Sequence, residues 1–352
     1  MSKDKADSKP ALGIIINPVS GRDARRLFAR ASPSSHESKR NQVERLIVGA
    51  VSAGVQRIVL VHDAFRIADS AVEALGMEVE IDLRHLGVRG NAEDTVDAVN
   101  LMRELGCGAL AVLGGDGTSR IVARTWPDAT FLPLSTGTNN VFPEMLEATV
   151  AGAAAGLVAS GGVKRDAATR RAKVVRVEIQ DEEDDLALID AVQMLDDSTG
   201  NLLPFDPALM RALVLSRALP DAVGMSPVGG LLEPCAPEED FGVFVGCTAP
   251  GEGRHRLLAP ISPGLYRQVD IGEHRRLALG ERIPLLGPGL IACDGDRERA
   301  LAPGQRASLR VERDGPYVID ARRALAAAVA QGAYLDRAHW HDRRDGASFD
   351  CC

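Results

Sequence analysis

The sequence predicts a two-domain protein: an α/β domain on a mainly parallel sheet, followed by a mostly β domain. Three observations carry this. At 352 residues the chain exceeds one ordinary domain. Short apolar runs alternate with helix-period stretches over residues 1–147. Beyond that point the apolar period falls to two, and Gly/Pro clusters near 227–230, 250–253, 260–264 and 287–289 punctuate the chain.

The elements follow in order. Ala11 to Ile16 is a buried strand ending at Asn17-Pro18, and Ala31 to Ser38 is a Ser/Pro-rich loop. Val43, Leu46, Ile47, Ala50 and Val51 share one helix face. Arg57 to Val61 reads as a strand, Ile67 to Leu75 as a helix, and Met77 to Leu83 as a strand. Asn91 with Asp94 opens a helix that Val96, Val99 and Met102 continue. Gly108 to Leu113 and Thr130 to Leu134 are the next two strands. Such alternation implies a parallel sheet covered by helices, with ligands beyond the carboxyl ends of the strands.

A small-residue helix is expected from Ala148 to about Gly161, a strand over Ala172 to Ile179, and a solvated acidic turn over Asp181 to Asp185. Further strands are expected over Leu186 to Leu195, Phe241 to Cys247, Gly289 to Cys293 and Ala307 to Val311. Pro207 to Leu219 reads as an inserted helix, and Ala321 to Leu335 as a final helix with Leu325, Ala328, Val329 and Gly332 on one side. The expected division is 1–147 for the α/β nucleotide-binding domain, 148–320 for the β-rich substrate domain, and 321–352 for a C-terminal helix and tail packing back on either domain.

The net charge of −8 weighs against nonspecific nucleic-acid binding and against a polybasic membrane surface. Aromatic residues, at 4%, are too few for stacking platforms. The uncharged segment nearest to a span, Ala148 to Val163, falls short of about 20 apolar residues. Met1 to Pro10 lacks an apolar signal core. The six cysteines form no C-x-x-C pair and read as reduced thiols, with Cys351-Cys352 in a frayed tail. A cytoplasmic protein is expected, with a small-molecule substrate, a nucleotide, and a second copy of itself as partners. His62, His85, His255 and His274 are scattered without metal-ligand spacing and read as surface or strand-end residues.

Three polar, Gly-bearing loops follow strands. The strongest is Gly114-Gly115-Asp116-Gly117-Thr118, where a buried strand runs into a turn whose glycines allow close backbone approach to a ligand. Its N–H groups and the helix start near Thr118 suit an anion, and Asp116 suits a metal partner or a general base. The competing reading is a tight strand-to-helix turn with an Asp cap. Asn17-Pro18-Val19-Ser20-Gly21 offers further donors to phosphate, or is an ordinary turn. Ser135-Thr136-Gly137-Thr138-Asn139-Asn140 is denser in hydroxyls and amides than a helix cap needs.

Together these residues resemble the superfamily of NAD kinases and diacylglycerol-type kinases. Gly114 to Thr118 is similar to its signature, and Asn17-Pro18 with Ser20-Gly21 to its first nucleotide loop. Ser135 to Pro143 resembles the kinase-like group found with acetoin catabolism, as does Gly13 to about Ser38. Later, Asp294-Gly295-Asp296 is similar to the Asp-Gly turn of both kinase branches, and Gly304 to Asp320 to the strands that close that domain. NAD kinases also carry an Asn-Glu pair and a Thr-Pro-Thr-Gly-Ser run. The comparable places here hold Leu195-Asp196-Asp197 and Met225-Ser226-Pro227-Val228-Gly229-Gly230.

The resemblance implies an ATP-dependent kinase acting on a hydroxyl of a small soluble molecule, with NAD to NADP as the first expectation and Mg²⁺ as cofactor. Asn17, Pro18, Ser20, Gly21, Gly114, Gly115, Gly117, Thr118 and Ser135 to Asn140 would hold the nucleotide. Asp116 would be the base, with Asp294 or Asp296 its rival, and Asp196, Asp197 and Ser226 would meet the acceptor. Two alternatives stand beside it: a lipid kinase of the diacylglycerol type, and a non-catalytic nucleotide sensor.

Overall fold

The computed structural model describes residues 10–21, 34–77, 79–137 and 140–335. The first sheet is built from β1 (Ala11–Ile16), β2 (Arg57–Val61), β3 (Glu80–Arg84), β4 (Ala109–Gly114) and β5 (Thr130–Ser135), with α1 (His36–Ser52), α2 (Ile67–Ala74), α3 (Ala92–Glu104) and α4 (Asp116–Thr125) between them. Its order is β3-β2-β1-β4-β5, all parallel. The order reverses between β1 and β4, so a crevice opens where those two strands end.

Each face of this sheet has its own core. Leu46, Ile47, Leu60 and Ala155 belong to one; Val99, Met102, Leu110 and Phe131 belong to the other. On the first face lie α1, α2 and α5 (Ala148–Ala159). Gly49 of α1 and Gly152 of α5 leave no space for a Cβ, because each faces a backbone carbonyl of the other helix. The small-residue run of α5 is thus what lets the two helices approach.

After α6 (Arg165–Ala168) and β6 (Thr169–Arg171) the chain enters two antiparallel sheets. One has four strands in the order β14-β17-β7-β8: β7 (Val174–Ile179), β8 (Asp185–Ala187), β14 (Ile283–Leu286) and β17 (Arg306–Glu312). The other has seven, in the order β12-β13-β11-β10-β9-β15-β16: β9 (Asp190–Met194), β10 (Met210–Leu215), β11 (Phe241–Cys247), β12 (His255–Ser262), β13 (Leu265–Ala278), β15 (Gly289–Cys293) and β16 (Asp296–Leu301). They share the core of Val177, Ala191, Val214, Ile291 and Leu309, and α7 (Ser226–Gly230) covers the far face of the larger sheet. The chain then returns: β18 (Tyr317–Ile319) pairs parallel to β5 and antiparallel to β6, and α8 (Ala321–Ala330) packs on the first-sheet core. The two crossings are bonded to each other, Ala172 N to Pro316 O at 2.9 Å and Gly315 N to Ala172 O at 3.1 Å.

Four expectations change. Residues 207–219 are not a helix: a 3₁₀ turn at Pro207–Leu209 leads into β10, whose apolar run is buried inside the larger sheet. Leu186 to Leu195 is not one strand but β8 and β9 in different sheets, parted where the N–H groups of Leu188 and Ile189 turn to Asp294. Asp185 is buried rather than solvated. In α8 the buried residues are Ala321, Ala324 and Ala328, while Val329 is 68% exposed. Among the described residues no helix is long and apolar enough to cross a membrane.

Candidate active site

A cavity of ≈ 450 Å³ opens beyond the carboxyl ends of β1, β2 and β4, lined by both domains. The loop after β1 forms one wall. Asn17 Oδ1 accepts from Val19 N at 3.1 Å and Ser20 N at 3.0 Å, and its Nδ2 donates to Thr118 Oγ1 at 2.8 Å. This locks the first loop to α4. Beneath it, the fully buried Lys39 of α1 donates to Asn17 O at 2.9 Å, Pro18 O at 2.7 Å and Ser20 O at 2.6 Å. Nothing local in the sequence marks Lys39, which sits in a polar stretch of α1. The hydroxyls of Ser20 and Thr136 also meet.

The turn after β4 forms the floor. Gly115 caps α4, which starts at Asp116, two residues before the expected point. A Cβ on Gly115 would stand 2.9 Å from Asn140 Oδ1, and Asn140 Nδ2 donates to Ser135 Oγ at 2.8 Å. Asp116 Oδ1 accepts from Val141 N at 3.1 Å and Phe142 N at 2.9 Å; Oδ2 has only a 3.2 Å contact to Val141 N. Burial raises the Asp116 carboxyl, the N–H groups and Arg217 pull it down, and the charge of Asp294 adds to the rise; the balance is about 7.

The second domain supplies the opposing wall. Asp294 and Gly295 join β15 to β16 with φ of 49° and 87°. Asp-Gly is the pair favoured where both residues of a two-residue hairpin take positive φ. The Asp294 carboxylate accepts from Leu188 N at 2.7 Å, Ile189 N at 2.7 Å and Asp190 N at 3.2 Å. Burial nevertheless holds Asp294 above the ordinary carboxylate range, and raises Asp190 too, with the charges of Asp294 and Asp116 adding to it. Asp190 Oδ1 is buried without a partner. A Cβ on Gly117 would lie 3.1 Å from Asp296 Oδ2, so the two turns face each other. Arg217, 8% exposed, stacks over the Phe142 ring at 4.5 Å.

Residues 173–314 match the C-terminal domain family of acetoin catabolism protein X. Over 312 residues the chain is 36% identical to the acetoin catabolism protein X of Cupriavidus necator, a match spanning 85% of this chain and 86% of that protein. The chain belongs to the acetoin catabolism protein X family. Its fold is that of the NAD kinase-like proteins: yeast NADH kinase, solved in complex with NADH, superposes with a TM-score of 0.50 at 12% identity, over 95% of this chain and 90% of that one.

In this member of the acetoin catabolism protein X family, Asn17, Pro18, Ser20, Gly21, Gly115, Asp116, Gly117, Thr118, Asn140, Asp294 and Asp296 all line the cavity. Gly114, Ser135, Thr136 and Gly137 are not among the lining residues, and Thr138 and Asn139 lie outside the described residues. Asp196, Asp197 and Ser226 are not among the lining residues. Asp197 holds the buried Arg297 at 2.6 Å, and Ser226 Oγ bridges Leu219 N and Arg217 O. Sequence reasoning missed Asp190, His62 and Lys39. Asp190 sits in an apolar run that reads as plain strand. His62 was expected at a surface or strand end; it follows β2, yet it lines the cavity with Asp69 bonded to its ring.

Proposed function

We propose that this protein is a phosphotransferase that moves a phosphoryl group from ATP to a hydroxyl of a small soluble molecule, with NAD the first acceptor to test. The observation that carries the reading is Asp116, an acid held near neutrality between a glycine-rich turn and a second carboxylate-bearing turn, inside one cavity. Phosphoryl transfer asks for positioning and charge control more than covalent help. The Asn17 loop and the Gly115 turn position the donor. Asp116 takes the acceptor proton, because its Oδ2 makes only the long contact to Val141 and its carboxyl titrates near working pH. Asp294 is the weaker rival, since three N–H groups already engage its two oxygens.

The described lining holds six aspartates (Asp63, Asp94, Asp116, Asp190, Asp294 and Asp296) and one arginine, Arg297. Phosphates entering such a cavity need added positive charge, and bound Mg²⁺ supplies it. Asp190, with its unpartnered oxygen, is the residue suited to hold the ion. Mg²⁺ would be held there by few carboxylates, the rest of its ligands coming from phosphate and water.

The test is ADP release with Mg²⁺ or EDTA against a panel of NAD, NADH and acetoin, the last suggested by the relative's name. Absence of both nucleotide binding and acceptor-dependent ADP release defeats the reading. A second reading, an acceptor with an apolar tail, is favoured by the exposed Val19, Phe65, Val88, Leu202 and Leu203 around the cavity. Liposome flotation, with diacylglycerol added to the panel, separates the two.

A further inference from the structure

The end of the cavity beyond β2 holds a side-chain pair that the phosphotransfer reading does not use. His62 follows β2, and its N–H donates to Arg84 O at 2.9 Å. The next residue, Asp63, fixes the loop by accepting from Phe65 N and Ala68 N, both at 2.9 Å. Asp69, in the first turn of α2, places Oδ1 2.8 Å from His62 Nδ1. Its Oδ2 is buried without a hydrogen-bond partner, and Arg66 Nε stands off at 3.8 Å from Oδ1. The His85 ring packs edge-on to His62 at 5.3 Å. Asp69 therefore holds the imidazole at Nδ1, and His62 is a lining residue of the cavity.

A carboxylate only accepts, so in the neutral ring Nδ1 carries the proton and Nε2 is left with its lone pair. Such an atom recognises an O–H or N–H, not a phosphate oxygen. The surroundings agree. Phe65, 49% exposed, and Leu86 and Val88 line this end, and no Lys or Arg is among the described lining residues there. The phosphate-binding turns belong to β1 and β4, and β2 is the next strand outward.

We propose that His62, oriented by Asp69, is a specificity-determining contact that accepts a hydrogen bond from the nucleoside part of the phosphoryl donor. This rests on the phosphotransferase reading and deepens it. The donated hydrogen comes from a ribose hydroxyl or from the base amine, and Asp69 is a positioning residue.

Calorimetry with Mg²⁺ and ATP, 2′-deoxy-ATP, 3′-deoxy-ATP, purine riboside triphosphate or inorganic tripolyphosphate tests it. His62→Ala should weaken ATP about tenfold, the worth of one good hydrogen bond. It should leave tripolyphosphate unchanged, and His62→Gln, which keeps an acceptor, should recover part of the loss. The analogue that binds wild type and His62→Ala alike identifies the group recognised. Asp69→Asn should shift the ¹⁵N resonances of the His62 ring away from the Nδ1–H form and weaken ATP less than His62→Ala does. Equal ATP affinity in wild type and His62→Ala overturns this proposal and leaves the phosphotransferase reading standing. Equal losses for ATP and tripolyphosphate overturn it too, because the contact is then to phosphate. Failure of wild type to bind any of the nucleotides removes both.

Discussion

Asp185 and Asp294 are both buried where the second domain meets α4, yet they are held in opposite ways. Asp185 meets the guanidinium groups of Arg120 at 2.8 Å, Arg124 at 3.2 Å and Arg299 at 3.1 Å. Burial pushes its carboxyl up, but Arg120, the Leu186 N–H, Arg124 and Arg299 outweigh that and keep it below its ordinary value. Asp294 instead accepts three backbone N–H groups and belongs to none of the ion pairs among the described residues, and it is held above the ordinary range. Fixed dipoles compensate a buried charge less fully than guanidinium groups do. Asp185 is thus paired behind the cavity, whereas Asp116 and Asp294, which face it, take their hydrogen bonds from backbone N–H groups; the charges of Arg217 and Arg120 lower them only in part, and both carboxyls stay raised.

The sharpest way to break this contrast is Asp116→Asn. It should cost about 10²–10⁴-fold in kcat, the usual worth of a general base, while ATP still binds. Near-full turnover, with Asp294→Asn or Asp296→Asn inactive instead, moves the base to the second domain. Next in size, Asp185→Ala leaves Arg120 in the interior without its carboxylate and should cost about 3–5 kcal/mol in urea unfolding. A cost below that of Asp294→Asn would remove the distinction between paired and unpaired acids.

Gly115→Val should lose measurable ATP binding with the fold retained. The reason is more specific than a blocked phosphate: the new Cβ displaces Asn140 Oδ1, 2.9 Å away, and with it the bond to Ser135. Unchanged ATP affinity by calorimetry in a folded variant would remove the turn from the donor site. A smaller effect follows from the sign of the Asp116 shift. Its carboxyl is raised from 3.8 to about 7 in the fold, so this group's contribution to stability is present below about pH 4 and lost as pH rises through 7. Asp116→Asn should therefore melt a few degrees above wild type at pH 8, with the gap narrowing below pH 7 and closing near pH 4. The smallest effect is expected at Asp196, exposed with φ of 58°, where Asn should change stability by less than about 0.5 kcal/mol and leave KM alone. A tenfold rise in acceptor KM there would return residues 196–197 to the acceptor site.

The parallel sheet was legible because its strands and helices carry clean periods, and the loops after β1 and β4 because Gly and Asn stand out against apolar runs. The β domain was less so. β12 and β13 escaped notice because charged residues such as Arg256, Arg267 and Arg275 fill their outward positions. β10 passed for a helix because a short apolar run has no decisive period. Asp190 reads as an interruption in a strand until β15 and β9 pair and bring Asp294 against it.

The bonded crossings at Ala172 and Pro316 also limit how the molecule can move. A single tether would let the β domain swivel freely over the first sheet. Here the polypeptide passes between the domains twice, side by side, and the two passages continue into the paired strands β6 and β18. Lys173, donating to Phe241 O at 2.7 Å, and Arg313, donating to Glu239 O at 2.8 Å, anchor the same junction on the β-domain side. Two strands bonded side by side resist twist and slide where a single strand would not. With the buried Arg120 of α4 also bonded to Leu186 O at 2.7 Å and Asp185 at 2.8 Å, the strap fixes the alignment in which Gly117 and Asp296 face each other.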